Sequence, residues 1–126
     1  MLDASRAFSS FAVDDTAAAE RFYTGTLGLT VTGVAGMEEY GLLDLRLAQD
    51  RGVLIYPKPD FVPASYTMMH FPVDDIDKAV DELAARGVEF LRYDAFEQDA
   101  KGITLGRPRN AWFTDPAGNV LGLVQD

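Results

Sequence analysis

The chain carries one histidine, His70, and no cysteine, and those two counts bound the chemistry open to it. Imidazole is the side chain that ordinarily exchanges a proton near neutral pH, so His70 is the candidate general acid or base. The commoner place for a lone strand histidine is a hydrogen-bonded core. Without cysteine there is no thiolate nucleophile, thiolate metal site or disulfide. Asp14-Asp15 and Asp74-Asp75 have the form of paired carboxylates. Each pair stands directly before a helical run, where a carboxylate accepts hydrogen bonds from unpaired N–H groups of the first turn, so capping explains both. Ser9-Ser10 lacks the glycines of a nucleophile elbow. Gly102-Ile103-Thr104-Leu105-Gly106 lacks phosphate-loop spacing and a following Lys. Arg107 and Arg109 could reach an anionic group, although loop arginines in a charged stretch are commonly solvated.

The elements that must position these residues occur twice. Val13-Asp14-Asp15, a helical run and Gly28-Leu29-Thr30-Val31 return as Val73-Asp74-Asp75, a longer helical run and Gly87-Val88-Glu89-Phe90, offset by 60 residues at the Asp pair and 59 at the glycine. Two supersecondary units of one design imply a pseudo-symmetric body with a ligand cleft at its seam. In the first unit the pattern predicts a strand over 7–13, a helix over about 16–26, a strand over 29–34 and a hairpin of 40–48 with 53–56. Pro57, Pro59 and Pro63 mark an extended connector. In the second it predicts a strand over 66–73, a helix over about 76–86 and a strand over 88–91. A mobile loop or irregular strand over 94–109 and a closing hairpin of 110–114 with 119–124 follow. Ile76, Ala79, Val80, Leu83 and Ala84 fall on one helical face, and Asp115-Pro116-Ala117-Gly118 has type I turn chemistry. The expected fold class is α+β: two tandem βαβββ modules, 1–58 and 65–126, joined by a proline-rich connector over 59–64. Together they would make one compact domain, its curved, half-barrel-like mixed sheet wrapped around a cleft.

Composition narrows the partners. Twenty acidic against eleven basic residues give a net charge of −9, which repels phosphate backbones and anionic membranes. No apolar stretch approaches the roughly 20 residues of a membrane span, and Met1 to Arg6 does not read as a secretory leader. A cytoplasmic protein with neither nucleic-acid nor membrane partners is expected.

Three segments in order resemble the vicinal-oxygen-chelate superfamily, which includes glyoxalase I, bleomycin-resistance proteins, methylmalonyl-CoA epimerase and extradiol dioxygenases. They are Phe11-Ala12-Val13-Asp14-Asp15 through Phe22-Tyr23 to Leu27-Gly28-Leu29, then Phe71-Pro72-Val73-Asp74-Asp75-Ile76 through Gly87-Val88-Glu89-Phe90, then Trp112-Phe113-Thr114-Asp115-Pro116-Ala117-Gly118-Asn119-Val120-Leu121. The resemblance implies metal ligands on four symmetry-related strands, seven residues before each helix-opening Asp and four after each hairpin Gly. Here those positions hold Phe8, Met68, Tyr56 and Gly122. Phe and Gly offer no donor, Met sulfur prefers soft metals, and an un-ionised Tyr is a poor ligand. The resemblance therefore leads to an expectation of no metal and no other cofactor. Two copies of His70 across a two-fold axis, or an all-carboxylate magnesium or manganese site, remain as alternatives.

Strand parity carries the lining outward from these four positions. Phe8, Ser10, Leu54, Tyr56, Met68, His70 and Gly122 are the expected ligand-binding residues, with Ala12, Pro72 and Val120 on the same faces. Trp112 joins them as a candidate, although spacing does not decide between it and Phe113. A mostly apolar lining with sparse polar groups suits a small molecule, but the same side chains could simply fill a core. The first reading is a metal-free protein of bleomycin-resistance type that binds a small apolar or aromatic molecule. The alternative is an enzyme of lyase, isomerase or dioxygenase type, either metal-free with His70 as general base or with relocated metal ligands. A third is an interaction module with a vestigial cleft. The resemblance also implies a homodimer.

Overall fold

The computed structural model describes residues 1–126, which form two units, Met1–Val62 and Pro63–Asp126. Each carries one principal helix and one small open sheet, so the chain is an α+β protein of two modules. No helix is long and apolar enough to cross a membrane.

The first unit runs β1 (Ser9–Val13), α1 (Thr16–Arg21), β2 (Thr30–Gly33), β3 (Leu43–Ala48) and β4 (Arg51–Pro57). Its strand order is β1-β4-β3-β2, with β1 parallel to β4 and the other pairs antiparallel. Asp15 caps α1, its Oδ1 accepting the Ala18 N–H at 3.1 Å, as its place before the helix predicts. The helix does not stay α-helical to Thr26: it widens into a π turn over Phe22–Thr26. Gly28, at φ 72°, then reverses the chain in a conformation that side chains with a Cβ resist. Alternation along the strands buries Val13, Leu43, Leu45, Val53 and Ile55, and Ala19 and Tyr23 are the buried residues of the helical segment. Strand β3 begins later than its pattern predicts, because Glu38–Tyr40 forms a 3-10 turn closed by Gly41 at φ 72°.

The second unit runs β5 (Thr67–Pro72), α2 (Ile76–Ala85), β6 (Arg109–Thr114) and β7 (Val120–Gln125), in the order β5-β7-β6. Strands β5 and β7 are parallel, β6 and β7 antiparallel. Asp75 caps α2 through the Lys78 N–H at 3.1 Å, and Gln125 Oε1 takes the Ile76 N–H at 2.7 Å. The helix buries Ile76 and Val80; Phe113, Leu121 and Leu123 are buried in β6 and β7.

One expectation fails here. Val88–Leu91 forms no strand; the segment hydrogen-bonds to the sheet once, Leu91 N–H to the Trp112 carbonyl at 2.7 Å. The segment over 94–109 is irregular, as one of its two alternatives had it, with a single bridge between Gln98 and Thr104, and hydrogen bonds tie it down. Gln98 donates to the Leu91 and Gly102 carbonyls at 2.9 and 2.8 Å and accepts the Tyr93 N–H at 2.8 Å. Asp99 accepts the N–H groups of Lys101 and Ile103, and Ile103 is fully buried. Side-chain amides and carboxylates substitute for the ladder that a strand would have supplied.

Candidate functional site

In the first unit, strand alternation leaves a second sheet face that the helix does not cover. A groove of about 900 Å3 opens at one end of that face. Phe8 and Leu54 line it, together with Val34, Met37, Leu42 and Leu47. Strand β1 starts one residue after Phe8, so this side chain projects from the preceding segment with 73% of its surface exposed. Ser10 pairs in register with Leu54, and Ala12 with Tyr56. Neither Ser10 nor Tyr56 lines the groove. Sequence reasoning missed Asp44 and Arg46, which do. Their signal was the register partner of Arg46, Gly52, a residue without a side chain to obstruct it.

In the second unit, His70 and Trp112 flank Gly122, their register partner in β7. A Cβ placed on Gly122 would lie 3.2 Å from Thr67 Cγ2, 3.4 Å from Trp112 Cδ1 and 3.6 Å from His70 Nδ1. The missing side chain therefore admits those three groups. Met68 lies at a register shift between Thr67 and Met69, which brings Thr67 rather than Met68 to Gly122. His70 is exposed.

Pairing and burial put Trp112 and Phe113 on opposite faces of β6. Phe113 is fully buried, edge-on to Phe90 with centroids 5.7 Å apart, whereas Trp112 shares the Gly122 side with His70. Trp112 stacks on Phe96 at 5.2 Å and 27°, and Tyr93 meets it edge-on at 5.1 Å. Phe96 is 52% exposed, so this aromatic group has an open side. Tyr93 and Phe96 come from an irregular segment where no periodicity marks an inward face, and sequence reasoning missed both. Arg109 is engaged within its unit, its Nη1 donating to Asp77 Oδ2 on α2 at 2.9 Å. Arg107 is exposed.

The four positions that the resemblance assigns to metal ligands thus present an exposed phenyl, a half-buried phenol, a thioether beside a bulge and a glycine filled by its neighbours. No three His, Cys, Asp or Glu side chains come together. This donor set does not fit a hard divalent cation.

Comparison with curated proteins gives no match. Among solved structures, TnmS3, an antibiotic binding protein from Streptomyces sp. CB03234, is 26% identical with a TM-score of 0.69, over 98% of each chain. A superfamily member from Sphaerobacter thermophilus is 26% identical with a TM-score of 0.67, over 95% of this chain and 97% of that one. The fosfomycin resistance protein FosX from Listeria monocytogenes shares the fold at 14% identity and a TM-score of 0.70, over 100% of this chain and 95% of that one. The model of one family spans residues 7–123, and on that match the chain belongs to the Glyoxalase/Bleomycin resistance protein/Dioxygenase superfamily.

Proposed function

We propose that the protein is a metal-free binder of small, largely apolar or aromatic molecules, of the drug-sequestering kind. The observation that carries the reading is the aromatic group on the second sheet: Trp112 stacked on half-exposed Phe96, bordered by Tyr93, beside His70 and Gly122. A planar ligand gains about 0.5–1.5 kcal/mol per well-placed ring beyond its area burial, without any bond being made. Gly122 keeps the floor low, and His70 supplies one polar orienting contact. Phe8, Ser10, Leu54, Tyr56 and Met68 remain assigned to the same task. The likeness to TnmS3 supports binding rather than turnover. We take the protein to act in the cytoplasm as a homodimer, which sedimentation checks directly.

Trp112 is the only tryptophan, so its fluorescence reports on this surface alone. A panel of aromatic natural products is expected to quench it and to raise Tm for at least one member; Trp112→Ala abolishes that rise. A panel without one binder overturns the reading. Elemental analysis of protein purified without chelator is expected to find no stoichiometric divalent ion, and one ion per chain would overturn the metal-free assignment.

The second reading, an enzyme using His70 as general base, rests on the exposure of that imidazole beside Trp112. With a substrate in hand, His70→Ala would then lower kcat by about a hundredfold. An unchanged rate removes that role.

A further inference from the structure

The groove of the first unit holds a charge arrangement that an apolar ligand does not need. Arg6, Arg46 and Arg51 line it against Asp44 and Asp50, a positive excess in a chain whose net charge is −9. Arg46 is built into the floor. Its Nε lies 2.8 Å from Asp44 Oδ2, short of hydrogen-bond alignment, and its Nη2 donates to Asp44 Oδ1 at 3.2 Å. Asp44 thus occupies one side of the guanidinium. Nη1 makes a long contact to the Gln49 carbonyl at 3.4 Å. A guanidinium has five N–H donors in a rigid fork, so one N–H on Nη1 and one on Nη2 are left without a protein acceptor. Two such donors match the two oxygens of a second anion. The side chain is 36% exposed, enough for a ligand to reach it.

Gly52 makes this placement possible. A Cβ there would collide with Arg46 Nη2 and Asp44 Oδ1, so the guanidinium lies across β4 only because that position has no side chain. Phe8, Met37, Leu42 and Leu54 supply the apolar wall beside it.

We propose that this groove binds small molecules with an apolar body and a single anionic head, a carboxylate or sulfonate, held by the Nη1 and Nη2 donors of Arg46. The inference rests on the binding reading above and names the ligand class for the half of the assigned residues that Phe8 and Leu54 represent. Arg46 is shared between Asp44 and the ligand, which gives the site selectivity for one negative charge rather than two.

Two dyes test it: 8-anilinonaphthalene-1-sulfonate and its uncharged parent N-phenyl-1-naphthylamine, titrated by their own fluorescence. Arg46→Gln is expected to weaken the sulfonate about tenfold or more, through the loss of the two charge-assisted hydrogen bonds, and to leave the amine unchanged. Gly52→Ala should do the same by pushing the guanidinium aside while the fold, read by Tm, is kept. Asp44→Asn should tighten the sulfonate, an outcome that damage to the fold cannot produce. If both dyes bind but move together in these variants, the inference is overturned and the binding reading stands. If neither dye binds, and the natural-product panel also fails, both fall.

Discussion

Trp112 and Phe113 are adjacent in sequence and opposite in fate, and one residue across the sheet decides between them. Gly122 faces Trp112, so the indole settles over a position where a side chain would have met it. Ala at 122 needs only tenths of an ångström of adjustment. Gly122→Val adds two branches against Thr67, His70 and Trp112, and overpacking of that kind costs about 1–3 kcal/mol. The expected result is a lower denaturant midpoint with an unchanged slope, together with a shifted Trp112 emission. An unaltered spectrum would show that the pocket beside Gly122 is looser than the distances imply. The glycine's meaning was half legible: its role in making room followed from sequence, but what fills the room did not. The bulge at Met68 was missed because strict alternation was carried through β5, whereas one inserted residue shifts the parity of the strand. Arg46 was passed over for a different reason: regular alternation gave its face but no hint of the groove that it lines.

At the scale of elements, the helices and their caps were the most legible parts. Asp15 and Asp75 stop two strands and start two helices, and each makes the expected bond to the third helical N–H. What sequence did not disclose was the replacement of a strand by a tied loop between α2 and β6. Val88 to Leu91 has strand-forming residues, but β propensity is realised only where a ladder partner is present. The chain bonds β6 at Leu91, turns into a segment organised by Gln98, and meets β6 again only at Thr104, which exchanges two hydrogen bonds with Asn110. Gln98→Ala removes three hydrogen bonds and leaves partly buried Leu91, Tyr93 and Gly102 backbone groups to find other partners. A loss of about 1–3 kcal/mol is expected. Limited proteolysis should then cut between residues 92 and 106 faster than in the parent protein, and Phe96 should lose its fixed stacking on Trp112. Equal cutting rates would mean that Asp99 and buried Ile103 hold the segment without the amide.

Across the whole molecule, charge is the property that sequence states most completely. An excess of nine acids leaves ion pairs to order the surface locally. Asp77 shows the effect: its hydrogen bond from Arg109, with Lys101 nearby, holds its carboxyl below the usual range. A depressed folded value contributes stability that is present above the ordinary carboxylate range and disappears as pH falls through the lowered one. Asp77→Asn should therefore narrow the Tm difference between pH 6 and pH 3, and a difference equal to the parent's would exclude the pair from acid stability. Exposure keeps the effect modest. Lys101, raised chiefly by its hydrogen bond with Asp81, works in the opposite limb, its contribution ending as pH rises past its folded value. Order of strands has a different consequence. In the first unit β4, the fourth strand in sequence, sits between β1 and β3; in the second β7, the last in sequence, sits between β5 and β6. In the first unit β2 and β3 can pair as they leave the ribosome, but β1 must wait for β4. In the second, β5 and β6 both wait for β7, the keystone that reaches each of them, so that sheet closes only once the last strand has been made.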